Sequence, residues 1–300
     1  MEFIIETDIK KCEKLWNKYS THSLIWEEWG VVFSLFSKSK EKPYFIHNDK
    51  GLLPLWYDTE EKTYYFFGGS YPEDKTFWFD INYFDDFMSA FNGEIKLFYI
   101  NKKVAHEIID NFPKYKDNFH NDENHYFLNS KKLDHSIENY LKMYNKKHRK
   151  NFLNDMKKFE SMTVEIRQSE MEYFNIFTKY NADKFGDESD FAEEEFSKII
   201  KKFFTYLSGK KMLTAVVIKN EEKKVIAIEY GTLFKDVYYV INGGYDHKIK
   251  NLGKYLMFEQ IKYAMSTKAS IIDFLSGSPG CWKELWKFEC EPYYDFRFKN

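Results

Sequence analysis

The spacing of apolar and polar residues predicts a chain in which short strands alternate with amphipathic helices. Runs with a period near 3.6 predict helices over 9–19, 24–36, 82–91, 103–111, 136–160, 170–184, 193–207, 252–267 and 279–286. Apolar or alternating runs bounded by turn residues predict strands over 43–47, 52–57, 63–67, 95–100, 125–128, 163–167, 213–219, 224–234, 237–242, 270–275 and 293–298. Both kinds of element occur along the whole chain, which predicts an α/β (α+β) protein.

The two halves of the chain repeat the same order of predicted elements. Each has three sequential strands, a Gly-Gly break (Gly68 and Gly69, then Gly243 and Gly244), a helix and another apolar strand. Strands joined by short turns form an antiparallel meander, whereas a strand–helix–strand unit forms a parallel crossover. We therefore predict two tandem domains, 1–130 and 131–300, each a mixed, largely antiparallel sheet flanked by helices.

Composition and charge narrow the class of protein. With 300 residues, of which 43% are hydrophobic and 31% charged, the chain can build two cores. The 45 basic and 47 acidic residues leave a net charge of −2, which argues against general nucleic-acid binding but allows a local basic patch. The aromatic content of 20% is spread along the chain and is typical of core filling, with an aromatic-lined groove as the alternative.

The cysteines and the N-terminal residues predict the compartment. Cys12, Cys281 and Cys290 are few and lack CxxC spacing, which indicates a reducing compartment without a disulfide scaffold or a zinc site. Residues 1–8 lack the basic and apolar regions of a signal peptide, and no apolar run is long enough for a membrane span. We expect a soluble cytoplasmic protein.

The segment 238–256 combines an apolar strand, a glycine break, a basic turn and the start of a helix. The first turn of a helix offers unpaired N–H groups and the positive end of the macrodipole, which favour phosphate. Asn251 is a good N-cap residue, and Gly253 has no Cβ to keep an anion from the backbone. No glycine lies between Tyr71 and Phe91, so the first half lacks such a turn. We predict that a phosphate-bearing donor binds, unless this is ordinary helix capping, at Lys248, Lys250, Asn251, Leu252, Gly253, Lys254 and Tyr255.

Two further segments supply candidate contacts for an acceptor or an anion. In the predicted helix 136–160, Lys146, Arg149 and Lys150 share one face. One interpretation of this face is that it binds an anion: the phosphates of the donor, a tRNA or an acidic polymer. The alternative is that it is a solvated helix face without a ligand. Trp282 and Lys283 lie in the predicted helix 279–286, where they wall an acceptor pocket unless the tryptophan packs in the core.

Taken in order, several segments resemble the GNAT acyltransferase superfamily, specifically its tandem-domain branch of CelD-like and FemAB-like proteins. These segments are 43–46 with 51–55, 146–152, 251–256, and 272–277 with 283–286. The resemblance implies two tandem GNAT-like domains, of which the second holds the donor. The usual GNAT donor turn has Gln or Arg where this chain has Lys250, and a small residue where it has Tyr255. A bulky Tyr255 would crowd a pyrophosphate, so the alternative donor is aminoacyl-tRNA, which the FemAB-like group uses.

The catalytic candidates are Glu229, Asp273 and Tyr245. The resemblance places the strand of Glu229 beside the donor cleft, where this carboxylate would deprotonate an incoming amine unless its sheet face is solvated. Asp273 interrupts an apolar strand, so it orients the acceptor amine or pairs with a neighbouring group. The phenol of Tyr245, like that of Tyr255, could protonate the leaving group or pack as a core residue.

The leading expectation is acyl transfer from acetyl-CoA or another acyl-CoA to a small-molecule or peptide amine, or to a hydroxyl. The alternatives are an aminoacyl-tRNA-dependent aminoacyl or peptidyl transferase of the FemAB-like type, and a non-catalytic ligand-binding protein. No metal is expected, because the histidines and acidic residues of 120–125 lack zinc spacing. The acceptor, the acyl group and the oligomeric state are not specified by the sequence.

Overall fold

The computed structural model describes residues 2–36 and 40–300. The strands are β1 (Ile4–Glu6), β2 (Glu41–Asn48), β3 (Gly51–Asp58), β4 (Thr63–Phe66), β5 (Trp78–Phe79), β6 (Glu94–Asn101), β7 (Phe119–His120), β8 (Asn124–Asn129), β9 (Thr163–Gln168), β10 (Leu213–Lys219), β11 (Val225–Phe234), β12 (Val237–Tyr245), β13 (Ile271–Gly277) and β14 (Glu289–Lys299). The α-helices are α1 (Ile9–Tyr19), α2 (Trp29–Ser34), α3 (Phe84–Ser89), α4 (Lys102–Asn111), α5 (Ile137–Lys142), α6 (Lys146–Lys157), α7 (Phe174–Phe185), α8 (Glu194–Gly209) and α9 (Leu252–Ser266). Among the short 3₁₀ helices, the segment Trp282–Trp286 contributes to the site described below.

Contacts divide the chain into two compact units. The first comprises Met1–His125, Ser276–Cys281 and Cys290–Asn300, and the second comprises Tyr126–Leu275 and Trp282–Glu289. The expected division at 130/131 places the last strand in the C-terminal domain, whereas nearly all of β14 belongs to the first compact unit. The first unit therefore contains residues from both ends of the chain, and the two units are not consecutive segments of the sequence.

The first unit is built on a mixed sheet with the strand order β1-β2-β3-β4-β6-β14. Neighbouring strands are antiparallel, except that β4 and β6 run parallel. Buried aromatic rings fill the core of this unit. Phe84, for example, packs edge-on against Tyr115 and Phe296, with ring centroids 5.3 and 5.4 Å apart. Such edge-to-face pairs stabilise the core beyond the burial of their area.

The second unit contains the strands β8-β13-β12-β11-β10-β9 in that order. Strands β10 to β12 form an antiparallel meander. Strand β9 pairs antiparallel with β10, and β13 lies parallel to β12. Helix α9 makes the crossover between these two parallel strands, which require such a connection. It is buried along most of its length, including Leu252, Leu256 and Ile261, as is typical of a central helix. The predicted fold class, a mixed and largely antiparallel sheet flanked by helices, is confirmed.

The predicted helices over 136–160 and 24–36 are each interrupted. The first is divided into α5 and α6, because Asn145 has extended backbone and its side chain accepts the N–H of His148 at 2.9 Å. Asparagine in this role starts a new helix instead of continuing the old one. The second consists of the 3₁₀ turn Ile25–Glu27 and helix α2, which are separated by the extended residue Glu28.

Candidate active site

A cavity of about 830 Å³ lies in the second unit, a size that suits a cofactor or a small substrate. Its walls come from α6, α7, β11, β12, α9, β13 and the segment Trp282–Trp286. Its ionisable and amide side chains are Tyr144, His148, Asn151, Asn181, Lys184, Glu229, Asn242, Tyr245, Lys254 and Lys283. Among the described residues that line the cavity, Glu229 is the one carboxyl group and three are lysines, so the cavity favours an anionic ligand.

Glu229 projects into this cavity from the middle of β11. Its cross-strand partner on β12 is Gly243. A Cβ atom on Gly243 would lie 2.1 Å from Oε2 of Glu229, so the carboxylate occupies the space that the missing side chain leaves. Glu229 is only 8% exposed, and burial raises its pKa to about 8, although the charges of Lys283 and Lys184 act in the opposite direction. A carboxyl group with this pKa gains and loses a proton near neutral pH.

A β-bulge in β12 lies beside Glu229. Tyr230 pairs with Asn242 and Gly231 pairs with Val240, which leaves Ile241 as an additional residue in β12. A bulge changes the direction in which the following side chains point and is common next to active sites. Asn242 follows the bulge directly and lines the cavity.

Lys283 is held by the backbone at the end of β13. Its Nζ donates to the carbonyl oxygens of Phe274 at 2.6 Å and Leu275 at 3.3 Å. Leu275 has a φ of +61°, a left-handed conformation that is unfavourable for a residue with a side chain. Oδ1 of Asp273 accepts the N–H of Leu275 at 2.8 Å. Asp273 is therefore buried where it supports the backbone around Lys283, and it is not among the described residues that line the cavity.

Aromatic side chains make up much of the remaining wall. Phe152 on α6 packs edge-on against Trp286, with ring centroids 5.7 Å apart. The hydroxyl of Tyr140 on α5 donates to the carbonyl of Trp286 at 2.7 Å, which fixes the 3₁₀ segment. Trp282 is 48% exposed and Leu285 is 76% exposed, although both line the cavity. These two side chains offer an apolar contact surface where the cavity meets solvent.

Of the residues predicted to form the donor turn at the start of α9, Gly253 and Lys254 line the cavity. Lys248 and Lys250 are exposed and lie outside the cavity lining of the described chain. Asn251 has a φ of +65° and its side chain makes no capping hydrogen bond, so the expected capping role is wrong. Leu252 is buried in the core. The two cations and the cap residue therefore do not converge on the first turn of the helix.

Two other residues of the donor turn are engaged by protein groups. Nζ of Lys254 pairs with Oδ2 of Asp155 at 3.0 Å, at the edge of the cavity. Tyr255 is buried, and its ring stacks on Phe159 with the centroids 4.9 Å apart. Burial also raises the pKa of its phenol to about 12. Tyr255 thus packs in the core instead of crowding the turn.

The residue that does cover the turn is Tyr245, at the end of β12. Its ring lies over Gly253, so closely that a Cβ atom there would be 2.4 Å from Cζ of the tyrosine. Nζ of Lys184 lies 4.9 Å from the centroid of the same ring. Tyr245 and Gly253, both predicted as site residues, are therefore in direct contact at the cavity wall.

The predicted acceptor contacts separate into two groups. Trp282 and Lys283 line the cavity. Lys146 and Lys150 are exposed on α6 and Arg149 is partly exposed, and none of these three belongs to the cavity lining within residues 2–36 and 40–300. The basic face of α6 is therefore available to a larger anionic partner outside the cavity.

Six polar residues of the lining are not among the predicted site residues: Tyr144, His148, Asn151, Asn181, Lys184 and Asn242. Asn181 and Lys184 are three residues apart on α7, a spacing that places them on one helix face. That spacing was the available signal, but it became meaningful only once α7 was seen to pack against β12. His148 lies in the basic segment of α6, of which only the cationic residues Lys146, Arg149 and Lys150 were predicted as contacts.

Residues 2–36 and 40–300 contain neither a cluster of metal ligands nor a membrane-spanning helix. No group of three or more His, Cys, Asp or Glu side chains there is arranged to hold a metal ion. In the same residues, no helix combines the length and the apolar character that crossing a bilayer requires. Of the histidines in 120–125, His120 lies on β7 and His125 on β8.

Comparisons with known proteins show similarity in part of the sequence and in the fold. Residues 146–287 match the sequence model of the family described as acetyltransferase (GNAT) domain, while no curated protein sequence matches the chain. The crystal structure of FemX is similar with a TM-score of 0.63 at 12% identity, over 99% of this chain and 98% of that one. L-PGS from Bacillus licheniformis gives a TM-score of 0.55 at 13% identity, over 98% and 92% of the two chains. A tandem GNAT protein from the clavulanic acid biosynthesis pathway gives 0.53 at 8% identity, over 99% and 98%.

At such low identities the structural likeness establishes the fold alone. That fold extends over the whole chain and includes both units, so the expected resemblance to tandem GNAT proteins is confirmed. The matched segment 146–287 contains Glu229, Tyr245, Gly253 and Lys283, the residues on which the site depends. Residues 146–287 are therefore similar in sequence to the GNAT acetyltransferase domain, in a chain whose fold is like that of the FemX and tandem GNAT structures.

Proposed function

We propose that the second unit transfers an acyl group from an activated carrier to an amine, with Glu229 as the general base. The observation that carries this proposal is the burial of Glu229 in the cavity wall, which gives the carboxyl group a pKa of about 8. An ammonium group must lose a proton before its nitrogen can attack a carbonyl carbon, and a base with a pKa near the working pH is suited to that task. A hydroxyl group is far less acidic than an ammonium group, so the same base favours an amine acceptor.

The proposed reaction has a simple balance of bonds and protons. The acceptor ammonium gives its first proton to solvent through the carboxylate of Glu229. Its nitrogen then forms a bond to the carbonyl carbon of the donor, and the same carboxylate takes a second proton from that nitrogen. The bond from that carbon to the oxygen or sulfur of the carrier then breaks. The proton held by Glu229 passes to the departing atom, which restores the carboxylate. Lys184 and Lys283 favour the ionised form of Glu229 before the transfer begins.

The donor is the second part of the proposal. The GNAT fold generally implies acyl-CoA, whose pyrophosphate would need the first turn of α9. The residues present do not fit a pyrophosphate there, because the ring of Tyr245 covers Gly253 and Lys254 is paired with Asp155. We therefore favour aminoacyl-tRNA, whose acyl group is held by an ester. The exposed Lys146 supports this choice, since an exposed basic face on α6 can contact the phosphates of an RNA.

A transfer assay with both donors tests the proposal. Acetyl-CoA and a mixture of aminoacyl-tRNAs are each incubated with small-molecule and peptide amines, and amide products are identified by mass spectrometry. We expect product from the aminoacyl-tRNAs, a loss of about 10²–10⁴-fold in Glu229→Gln, and tRNA binding that weakens steeply with salt. Product from acetyl-CoA alone would make acyl-CoA the donor. A folded protein that gives no product with either donor would be a ligand-binding protein instead.

A further inference from the structure

Tyr245 lies against the first turn of α9, on one side of Gly253. A Cβ atom built on Gly253 would be 2.4 Å from Cζ, 2.5 Å from Cε1 and 2.8 Å from the hydroxyl oxygen of Tyr245. These distances are shorter than Cβ contacts in proteins, so the ring occupies the volume that a glycine leaves open. The side of Gly253 to which a Cβ atom would point is therefore occupied by Tyr245, although Gly253 also lines the cavity.

The surroundings of the ring keep it in this place. Nζ of Lys184 lies 4.9 Å from the ring centroid of Tyr245, within the range of a cation–π contact. Tyr245 is also the last residue of β12, and its backbone pairs with Ala227 of β11. Both its backbone and its ring are thus held by neighbours.

The electrostatics of the first turn add to this steric effect. The carboxylate of Asp155 pairs with Lys254, the third residue of α9, at 3.0 Å. A negative charge beside the first turn already interacts with the positive end of the helix dipole. A pyrophosphate would have to displace the ring and accept the proximity of this carboxylate.

We propose that Tyr245 determines donor specificity by excluding pyrophosphate-bearing donors from the first turn of α9. The inference rests on the proposed function, since it concerns the donor of that same site, but it makes a separate claim about binding. The donors that remain are acyl esters whose carrier brings no pyrophosphate to this turn. Removal of the ring should uncover Gly253 and create a binding site for coenzyme A that the natural chain lacks.

Calorimetric titration of the full chain with free coenzyme A tests this claim without any turnover. Tyr245→Ala removes the ring, whereas Tyr245→Phe retains it and serves as the matched control. We expect Tyr245→Ala to bind coenzyme A about tenfold or more tightly than the natural protein, and Tyr245→Phe to behave as the natural protein does. Gly253→Arg added to Tyr245→Ala should abolish the gain, because it fills the uncovered space again.

Two outcomes would overturn the inference. One is that Tyr245→Ala binds coenzyme A no more tightly than the natural protein does, and the other is that Tyr245→Phe gains as much affinity as Tyr245→Ala. Circular dichroism checks that each variant is folded, and Tyr245→Ser provides a second ring-free variant if alanine prevents folding. Failure of the proposed function has a different signature, namely transfer activity that Glu229→Gln leaves unchanged, so the two failures can be told apart.

Discussion

The carboxylate of Glu229 fills the space beside Gly243, since a Cβ atom on that glycine would lie 2.1 Å from Oε2 of Glu229. Gly243 does not have a positive φ, so alanine would be strained only by this contact. We predict that Gly243→Ala displaces the carboxylate and lowers the rate of acyl transfer about 10²-fold, the typical effect of a misplaced catalytic group. Single-turnover assays measure the rate.

The matched control for this substitution is Gly209→Ala. Gly209 ends helix α8, and a Cβ atom there meets nothing within 4 Å. We expect it to leave the transfer rate unchanged and to increase the free energy of unfolding by up to about 1 kcal/mol. Equal rate losses in the two variants would show that the contact with Glu229 is not the cause.

The stability of the protein should depend on pH through Glu229. Burial raises the pKa of this carboxyl group from its ordinary value of 4.5 to about 8. Between these two values the folded state holds a proton that the unfolded state has released, so the free energy of unfolding falls as the pH rises through this window. Glutamine cannot ionise, and Glu229→Gln should therefore flatten that decline. Urea unfolding at several pH values measures both slopes, and parallel slopes would refute the prediction.

Lys283 should set the pH at which the transfer reaction becomes fast. Its charge lowers the pKa of Glu229 against the effect of burial. In Lys283→Met the pKa of Glu229 should rise further, so the increase of kcat/KM with pH should move to higher pH. Lys283→Arg retains the charge and should keep the profile near that of the natural protein. A profile that stays in place in the methionine variant would show that the two residues are not coupled.

Tyr255 should contribute to stability and not to donor binding. Its ring is buried and stacks on Phe159. We expect Tyr255→Ala to lower the free energy of unfolding by about 3 kcal/mol, as for other large aromatic side chains. Tyr255→Phe keeps the ring and should change stability by about 1 kcal/mol or less. Urea unfolding measures both, and a phenylalanine variant with impaired transfer would give the hydroxyl a role in the reaction.

The order of strands and helices could be read from the sequence because its signals are local. Strand β10 (Leu213–Lys219) and helix α1 (Ile9–Tyr19) have the predicted bounds, since each is a periodic run ended by turn or capping residues. The break at Asn145 was missed because the helical period continues through it, and only the capping bond to His148 marks a new start. Local pattern thus predicts elements better than it predicts their interruptions.

Individual residues of the site could be predicted from their type and their position in a strand or helix, whereas the contacts between them could not. Glu229 was selected from the strand that the resemblance places beside the donor cleft, and Lys283 as an acceptor contact next to Trp282. Both line the cavity, although their roles remain predictions. The contact of Tyr245 with Gly253 depends on the path of the chain between β12 and α9, which no periodicity specifies. Lys184 likewise lines the cavity only because α7 packs against β12, a contact that the sequence does not specify.

The position of β14 has a consequence for how the chain folds as it is made. This strand pairs with β6 in the first unit, although the ribosome synthesises it after nearly all of the second unit. Until then β6 has an unpaired edge on that side, and such an edge can associate with other nascent chains. The N-terminal half therefore keeps an open sheet edge until synthesis of the chain is almost complete.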